Sequence, residues 1–363
     1  MGAMNSGVPP DVAGLTIPPS LLPAAPAASR PSALRQWLRS HRPALVLVGL
    51  SILIPELLTG STPVAALLNP VGDLFLIGLY GGGVLVIREI TLRWNRGWAP
   101  VLLLGAAYGI AEEGLGTKTF FDWAEIGHPN YGPYTHWAGV NWVWAGELTL
   151  FHAIFSIALP IVLVGLLYPV SRGRPFLSSR GLGWTFGAYL LTVTLMFFLF
   201  ERSYVLSPPL VAGCLIAIAL LVLAARKIPA EWLRPRSPLP RIAPRAALLL
   251  GAVFVWGFFI VFWGTPMLLQ DPFLTVALGW TFSAVCLLVL RFTIGSAGNE
   301  SQLAYLSVGL LTFLIFDAAI ENLLGDLFAF LAIVAAVGLM TVLYRRYRSP
   351  NPVESIPAGL AVE

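Results

Sequence analysis

Residues 142–169 read WVWAGELTLFHAIFSIALPIVLVGLLYP. Only Glu147 and His152 in this stretch ionise near neutral pH. A hydrocarbon core about 30 Å thick needs about 20 apolar residues in a helix to cross it, so the segment reads as a transmembrane helix. Nine further segments of the same kind surround it, at residues 43–60, 71–92, 98–117, 182–201, 208–225, 246–269, 273–293, 302–322 and 327–344. Composition agrees. Of 363 residues 57% are apolar and only 11% charged, and mean hydropathy is +0.79, whereas a soluble domain carries about a quarter charged residues. The expected fold is therefore all-α, a polytopic membrane protein of about ten transmembrane helices. Cys214 and Cys286 each sit in an apolar run, which speaks against a disulfide framework or a thiolate metal site.

Charge gives the spans a direction. Alternating them from a cytoplasmic N-terminus places every one of the 22 bases except Lys118 and Arg202 on the inner side, as the positive-inside rule requires. Both termini are thus expected in the cytoplasm, with the chain multi-pass in the plasma (cytoplasmic) membrane. Twelve of the 18 acids fall in the outer half or outer loops, leaving that side at −10 and the inner side at +14.

The same reading divides the chain. Residues 1–42 form a disordered Pro/Ala-rich tail ending in a basic segment before the first span. Residues 43–225 make a six-helix bundle, 226–245 a basic Pro-rich cytoplasmic linker, 246–344 a four-helix bundle and 345–363 a cytoplasmic tail. Residues 118–141, between the third and fourth spans, carry Phe120, Phe121, Trp123, Tyr131, Tyr134 and Trp137. Such a loop either anchors helix ends as an aromatic belt or lies over a site as a lid.

Ionisable groups inside spans are costly and mark function by default. At about 1.5 Å rise per residue, Glu56, Glu112, Glu113, His152 and Asp317 all fall roughly 8 to 15 Å below the outer surface of a core about 30 Å thick. In the third span Gly105, Gly109, Glu112 and Gly116 share a face, and small residues let helices approach closely. Glu113 is offset by about 100° on that wheel. Thr149, His152 and Ser156 make a polar stripe on the fourth span, and Asp317, Glu321 and Asn322 another on the ninth. These elements are expected to converge on one pocket. Glu147, about 140° around the helix from His152, stands apart. A carboxylate desolvated beside another carboxylate is suited to general acid or base work near neutral pH. The candidate catalytic set is Glu112 or Glu113 as base, His152 as second contact to a water or oxyanion, and Lys118 as charge stabiliser. A divalent metal on Glu113, His152 and Asp317 is an alternative, since carboxylate and imidazole are suitable ligands, although no HExxH-type spacing supports it.

At GIAEEGLGTKTFFDW (109–123), followed by His152 in LTLFHAIFS (148–156), the sequence resembles the CPBP family of intramembrane proteases, which includes the CAAX prenyl endopeptidases. That family carries EExxxR, then FxxxH, then HxxxN. Glu112 and Glu113 match the glutamate pair and His152 the histidine of the second motif. Thr117 stands at the Arg position with Lys118 next to it, Leu148 replaces the Phe, and Asp317, Glu321 and Asn322 are loose stand-ins for HxxxN. The resemblance implies a water held and deprotonated by Glu and His for attack on an amide or ester. CAAX endopeptidases act on cytoplasmic substrates, however, whereas the charge bias here puts the pocket nearer the outer face.

Three functions stay open on the sequence: an intramembrane hydrolase acting on a peptide or lipid-linked substrate, a proton- or cation-coupled transporter using the same groups, and a scaffold or complex subunit whose polar groups hold helices together. No P-loop or dinucleotide-binding glycine motif is present, and Gly81, Gly82 and Gly83 read as close helix packing. Glu89 and Arg93, four apart, read as a helix-stabilising pair. The bilayer explains the basic loops, so no nucleic-acid partner is expected.

Overall fold

The computed structural model describes residues 33–122, 135–200, 204–229, 242–269, 271–293, 300–326 and 328–348. Contacts divide the chain into Met1–His41, of which only the start of the first helix is described, and Arg42–Glu363, which holds the bundle. Of the expected tails, 33–42 are the opening turns of the first helix and 345–348 the last turn and cap of the final one; the rest of both tails, most of the linker at 226–245 and the centre of the aromatic loop lie outside the described residues.

Ten helical segments follow one another where hydropathy predicts them. We number them α1 (33–57), α2 (Pro70–Trp94), α3 (98–116), α4 (Trp142–Leu167), α5 (Ser179–Leu199), α6 (Pro208–Lys227), α7 (Pro244–Leu268), α8 (Pro272–Thr293), α9 (Glu300–Leu324) and α10 (Ala329–Tyr347). Among the described residues, nine are long and apolar enough to cross a membrane. The remaining one, α3, carries the adjacent Glu112 and Glu113, and carboxylates at mid-helix weigh heavily against apolarity. Before α4, a two-residue hairpin pairs β1 (His136–Trp137) with β2 (Val140–Asn141). Asn141 then caps α4 by accepting from the Trp144 amide.

Helix α4 is the axis of the bundle. Two-thirds of its membrane window (67%) is buried inside the protein, against 11% for α5 and for α6, whose apolar faces are left to lipid. Its N-terminal half meets α3 and α8 and its C-terminal half meets α9. Phe151 and Phe155 of α4 pack against Phe254, Phe258 and Phe259 of α7, and Phe259 in turn stacks on Phe313 of α9 at 4.1 Å. The first six helices and the last four therefore share aromatic contacts. Close approach of α3 to α4 is set by glycine: a Cβ at Gly105 would lie 2.7 Å from Ala153 Cα, and one at Gly109 would lie 3.0 Å from His152 Cβ. This is the packing read from the small-residue face of α3, and in lipid such backbone proximity is the main source of helix association.

Among the described residues five π-turns interrupt the helices, at Leu53–Leu57 in α1, Ile77–Gly81 in α2, Ile110–Gly116 in α3, His152–Ala158 in α4 and Ile260–Gly264 in α7. Proline explains three. Pro55 lies within the first, and Pro160 and Pro266 follow the fourth and fifth by two residues. A proline has no N–H for the carbonyl four residues back and its ring pushes that carbonyl aside. The turn widens to reach other partners.

Candidate functional site

Four of the five π-turns carry the polar groups of one buried cluster: Glu56, Tyr80, Glu112 with Glu113, and His152 with Ser156. Helices α1 and α3 both end in their π-turns, so the cluster sits where two helices stop while α2 and α4 run on past it. His152 is ten residues into α4, roughly 15 Å along it at the usual helical rise. The segments after α1 and α3 fold back over the cluster. Thr62 donates to Glu56 Oε2, and Thr117 and Thr119 both donate to Glu113 Oε2, the former at 3.0 Å.

The centre is His152, 2% exposed. Its Nε2 is 3.0 Å from Glu113 Oε1, its Nδ1 is 3.3 Å from Glu112 Oε2, and Ser156 Oγ lies 2.8 Å from the same Nδ1. A regular helix would splay Glu112 and Glu113 by about 100° and give only one of them this face. The wider turn of α3 corrects that expectation and brings both to the one imidazole. π-turns inside helices recur at functional sites for this reason.

A second arm runs through Tyr80, whose hydroxyl is hydrogen-bonded to Glu112 Oε1 and to Glu56 Oε1. A phenol has one proton to donate, so with two carboxyl partners one of the carboxyls must supply the other proton. The result is a continuous chain: Glu113, His152, Glu112, Tyr80, Glu56. Its far end on the Glu113 side is pinned by Trp144, whose Nε1 donates to Thr119 Oγ1 at 3.0 Å. Tyr108 completes the wall, its ring 5.7 Å from that of His152 and 5.9 Å from that of Tyr189. Two buried polar atoms here have no hydrogen-bond partner among the described residues, Glu112 Oε2 and Tyr108 Oη. Both nonetheless face a charged or polar neighbour, Glu112 Oε2 the His152 Nδ1 at 3.3 Å and the Tyr108 hydroxyl the Glu112 carboxylate.

Other sequence candidates are placed differently. Lys118 takes a left-handed backbone (φ +63°) just past α3, and its ammonium lies 3.2 Å from Phe200 O and 3.3 Å from Tyr204 O, over the Phe197 ring. Those contacts tie the covering segment to the end of α5. Asp317, Glu321 and Asn322 stay with the end of α9: Glu321 packs against Gly60, and Asn322 Nδ2 donates to Asp326 O at 2.9 Å. Glu147 accepts from Trp263 Nε1 at 2.8 Å, apart from the cluster as its phase on α4 implies. Thr149 is buried one turn from His152. Among the described residues, the group able to share a metal ion is Glu112, Glu113 and His152, with ligand atoms within 4.8 Å of one another. Glu112 thus takes the place anticipated for Asp317. Because Nε2 faces Glu113 while Nδ1 is shared by Ser156 and Glu112, an ion would have to displace one of these contacts from the ring nitrogen it takes.

Sequence reading missed Tyr80, Tyr108 and Thr119. Tyr108 carried a signal, since it precedes Glu112 by four residues on the same face. Tyr80 carried only its hydroxyl in an apolar, glycine-rich run.

No curated protein and no solved structure matches this chain. A family model described as an uncharacterized membrane protein family matches residues 45–347, which take in all but the start of the helical bundle, and the chain belongs to that family.

Proposed function

We propose that this protein is an intramembrane hydrolase in which Glu112 and His152 activate a water against an amide or ester of a membrane-embedded peptide or lipid-linked substrate. The observation that carries this reading is one buried histidine hydrogen-bonded to Glu113 through Nε2 and lying 3.3 Å from Glu112 Oε2 through Nδ1, which it shares with Ser156. Glu112 Oε2 is the base: it takes a proton from water while the hydroxide oxygen attacks the carbonyl carbon. Tyr108 Oη donates to the oxygen that gains charge, and Glu112 then returns the proton to the leaving nitrogen or oxygen as the scissile bond breaks. Glu113, held by two threonines, fixes the imidazole, and Tyr80 with Glu56 holds the reserve proton. The likeness to CPBP proteases supports the assignment, since Glu112, Glu113 and His152 are the residues that carry it. On the charge bias of the loops, substrate enters from the outer leaflet.

The chain from Glu113 to Glu56 also favours a second reading, a proton-coupled carrier. It ranks below hydrolysis because both ends of the chain lie under the covering segments at one end of the bundle. In the other direction α4 continues as Phe155, Ile157, Leu159 and Leu163, all buried and apolar. The deciding experiment reconstitutes the protein in liposomes with quenched-fluorescent peptides bearing an apolar segment and with fluorogenic lipid esters. Fluorescence release is expected from the native chain and not from Glu112→Gln, Glu113→Gln or His152→Ala, each eluting as a folded species. Equal release by all four overturns hydrolysis at this site. Proton uptake into dye-loaded vesicles, abolished by the same substitutions, establishes the carrier instead.

A further inference from the structure

Toward the other end of α4 lies a cavity of about 650 Å³, a volume within the usual range of ligand sites. Its wall is largely apolar, with Leu102 of α3, Ala158 of α4, Phe254 of α7, Leu290 of α8 and Leu306 and Leu310 of α9 among the lining side chains. Three arginines break that surface: Arg88, Arg172 and Arg291. They are not equivalent. Arg88 is saturated, bonded to Glu89 and to the carbonyls of Ser171, Arg172 and Arg174. Arg172 holds Glu300 at 3.0 Å and Gly165 O, yet remains 44% exposed in its side chain. Arg291 has a buried Nε with no hydrogen-bond partner among the described residues. An unpaired guanidinium N–H facing an oily cavity is costly and calls for an acceptor.

We propose that this cavity binds an anionic phospholipid, with one acyl chain against the apolar wall and the phosphate on Arg291, flanked by Arg172. Complementarity of charge selects this occupant. A neutral lipid would leave Arg291 unpaired, and a soluble anion would leave the apolar wall unfilled. The surroundings agree, because this is the arginine-rich end of the bundle, where α2 ends in Arg93 and α10 in Arg345 and Arg346. Basic pockets between transmembrane helices are a recurrent means of holding acidic headgroups. The inference is independent of the chemistry assigned to Glu112 and His152.

The test is native mass spectrometry of the full chain, delipidated in detergent and incubated with palmitoyl-oleoyl phosphatidylglycerol, the matching phosphatidylcholine, or inorganic phosphate. Phosphatidylglycerol should be retained in preference to phosphatidylcholine. Arg291→Gln should weaken that retention about fivefold, the effect of one basic residue near a charged headgroup. Arg291→Lys should keep most of it, and Ala158→Phe, which fills the cavity, should abolish it. Thermal melting identifies any variant that fails to fold, and the Gln and Lys comparison then stands alone. Equal retention of the two lipids, an unchanged Arg291→Gln, or displacement of phosphatidylglycerol by millimolar inorganic phosphate overturns the proposal.

Discussion

Among the described residues two buried ionisable clusters can be compared, and they differ in balance. Around Glu89, which is 0% exposed, opposite charges are matched: Arg88 Nη1 at 2.8 Å, Arg93 Nη2 at 3.4 Å and the Phe176 amide at 2.7 Å converge on one carboxylate. The guanidinium of Arg88 also lies 3.4 Å over the Phe176 ring. Such a set ties the loop after α4 to α2; Glu89 Oε2 makes no hydrogen bond among the described residues but faces the Arg93 cation, so its charge is answered. The cluster around His152 is the reverse. Two carboxyls meet one imidazole, a third is linked to them through the Tyr80 phenol, and the two hydrogen bonds at that phenol require one carboxyl to carry a proton. A matched cluster is a staple, while a like-charged one holds protons that can move.

Substitution sharpens this contrast. The largest effect expected is on turnover, where His152→Ala should lower hydrolysis by about 10²- to 10⁴-fold, as removal of an acid–base group does, with the melting temperature little changed. At the other cluster the loss should fall on stability. Glu89→Ala removes the acid partner of the buried Arg88 guanidinium and should cost about 3–5 kcal/mol, read as loss of the folded species in detergent melts, whereas the exposed Arg93 keeps its bond to Leu177 O. Glu112→Gln should leave melting intact; if it unfolds the protein as Glu89→Ala does, the distinction between the clusters is wrong. Gly105→Val should cost about 1–3 kcal/mol through overpacking against Ala153, again by melting. Tyr108→Phe should cost no more than about 1 kcal/mol, the usual worth of one hydrogen bond, here the contact its hydroxyl makes toward Glu112, and should slow turnover. Smallest of all, EDTA should leave turnover unchanged, since His152 already meets a carboxylate at each nitrogen. Inhibition reversed by zinc or manganese would put a metal at Glu112, Glu113 and His152 instead.

Much of this architecture is legible in order of residues. A run such as 142–169 declares its environment locally, because partition of about 20 apolar residues into hydrocarbon depends on little beyond the run itself. Nine of the ten helices accordingly fall within about three residues of their expected limits, and α1 begins ten residues before its apolar run, at Ala33. The Gly105 and Gly109 face of α3, the Glu89–Arg93 pair and the approach of Glu112 to His152 were likewise readable from spacing. Membership of the cluster was not. The stripe on α9 shares its depth with His152 but packs at Gly60, while Tyr80 and Glu56 come in from α2 and α1. Depth along a helix is one coordinate, and side chains meet only when rotation and neighbours also agree.

Spans, their number and the gathering of acids toward one end of the helices are written in the linear chain, since hydropathy and charge add residue by residue. Which acids share a proton is not, because π-turns at Ile110–Gly116 and His152–Ala158 alter the angular period on which any wheel relies. Glu112 and Glu113 reach the same imidazole only because α3 widens where it crosses α4, and that crossing exists only once glycine and alanine backbones have come into contact.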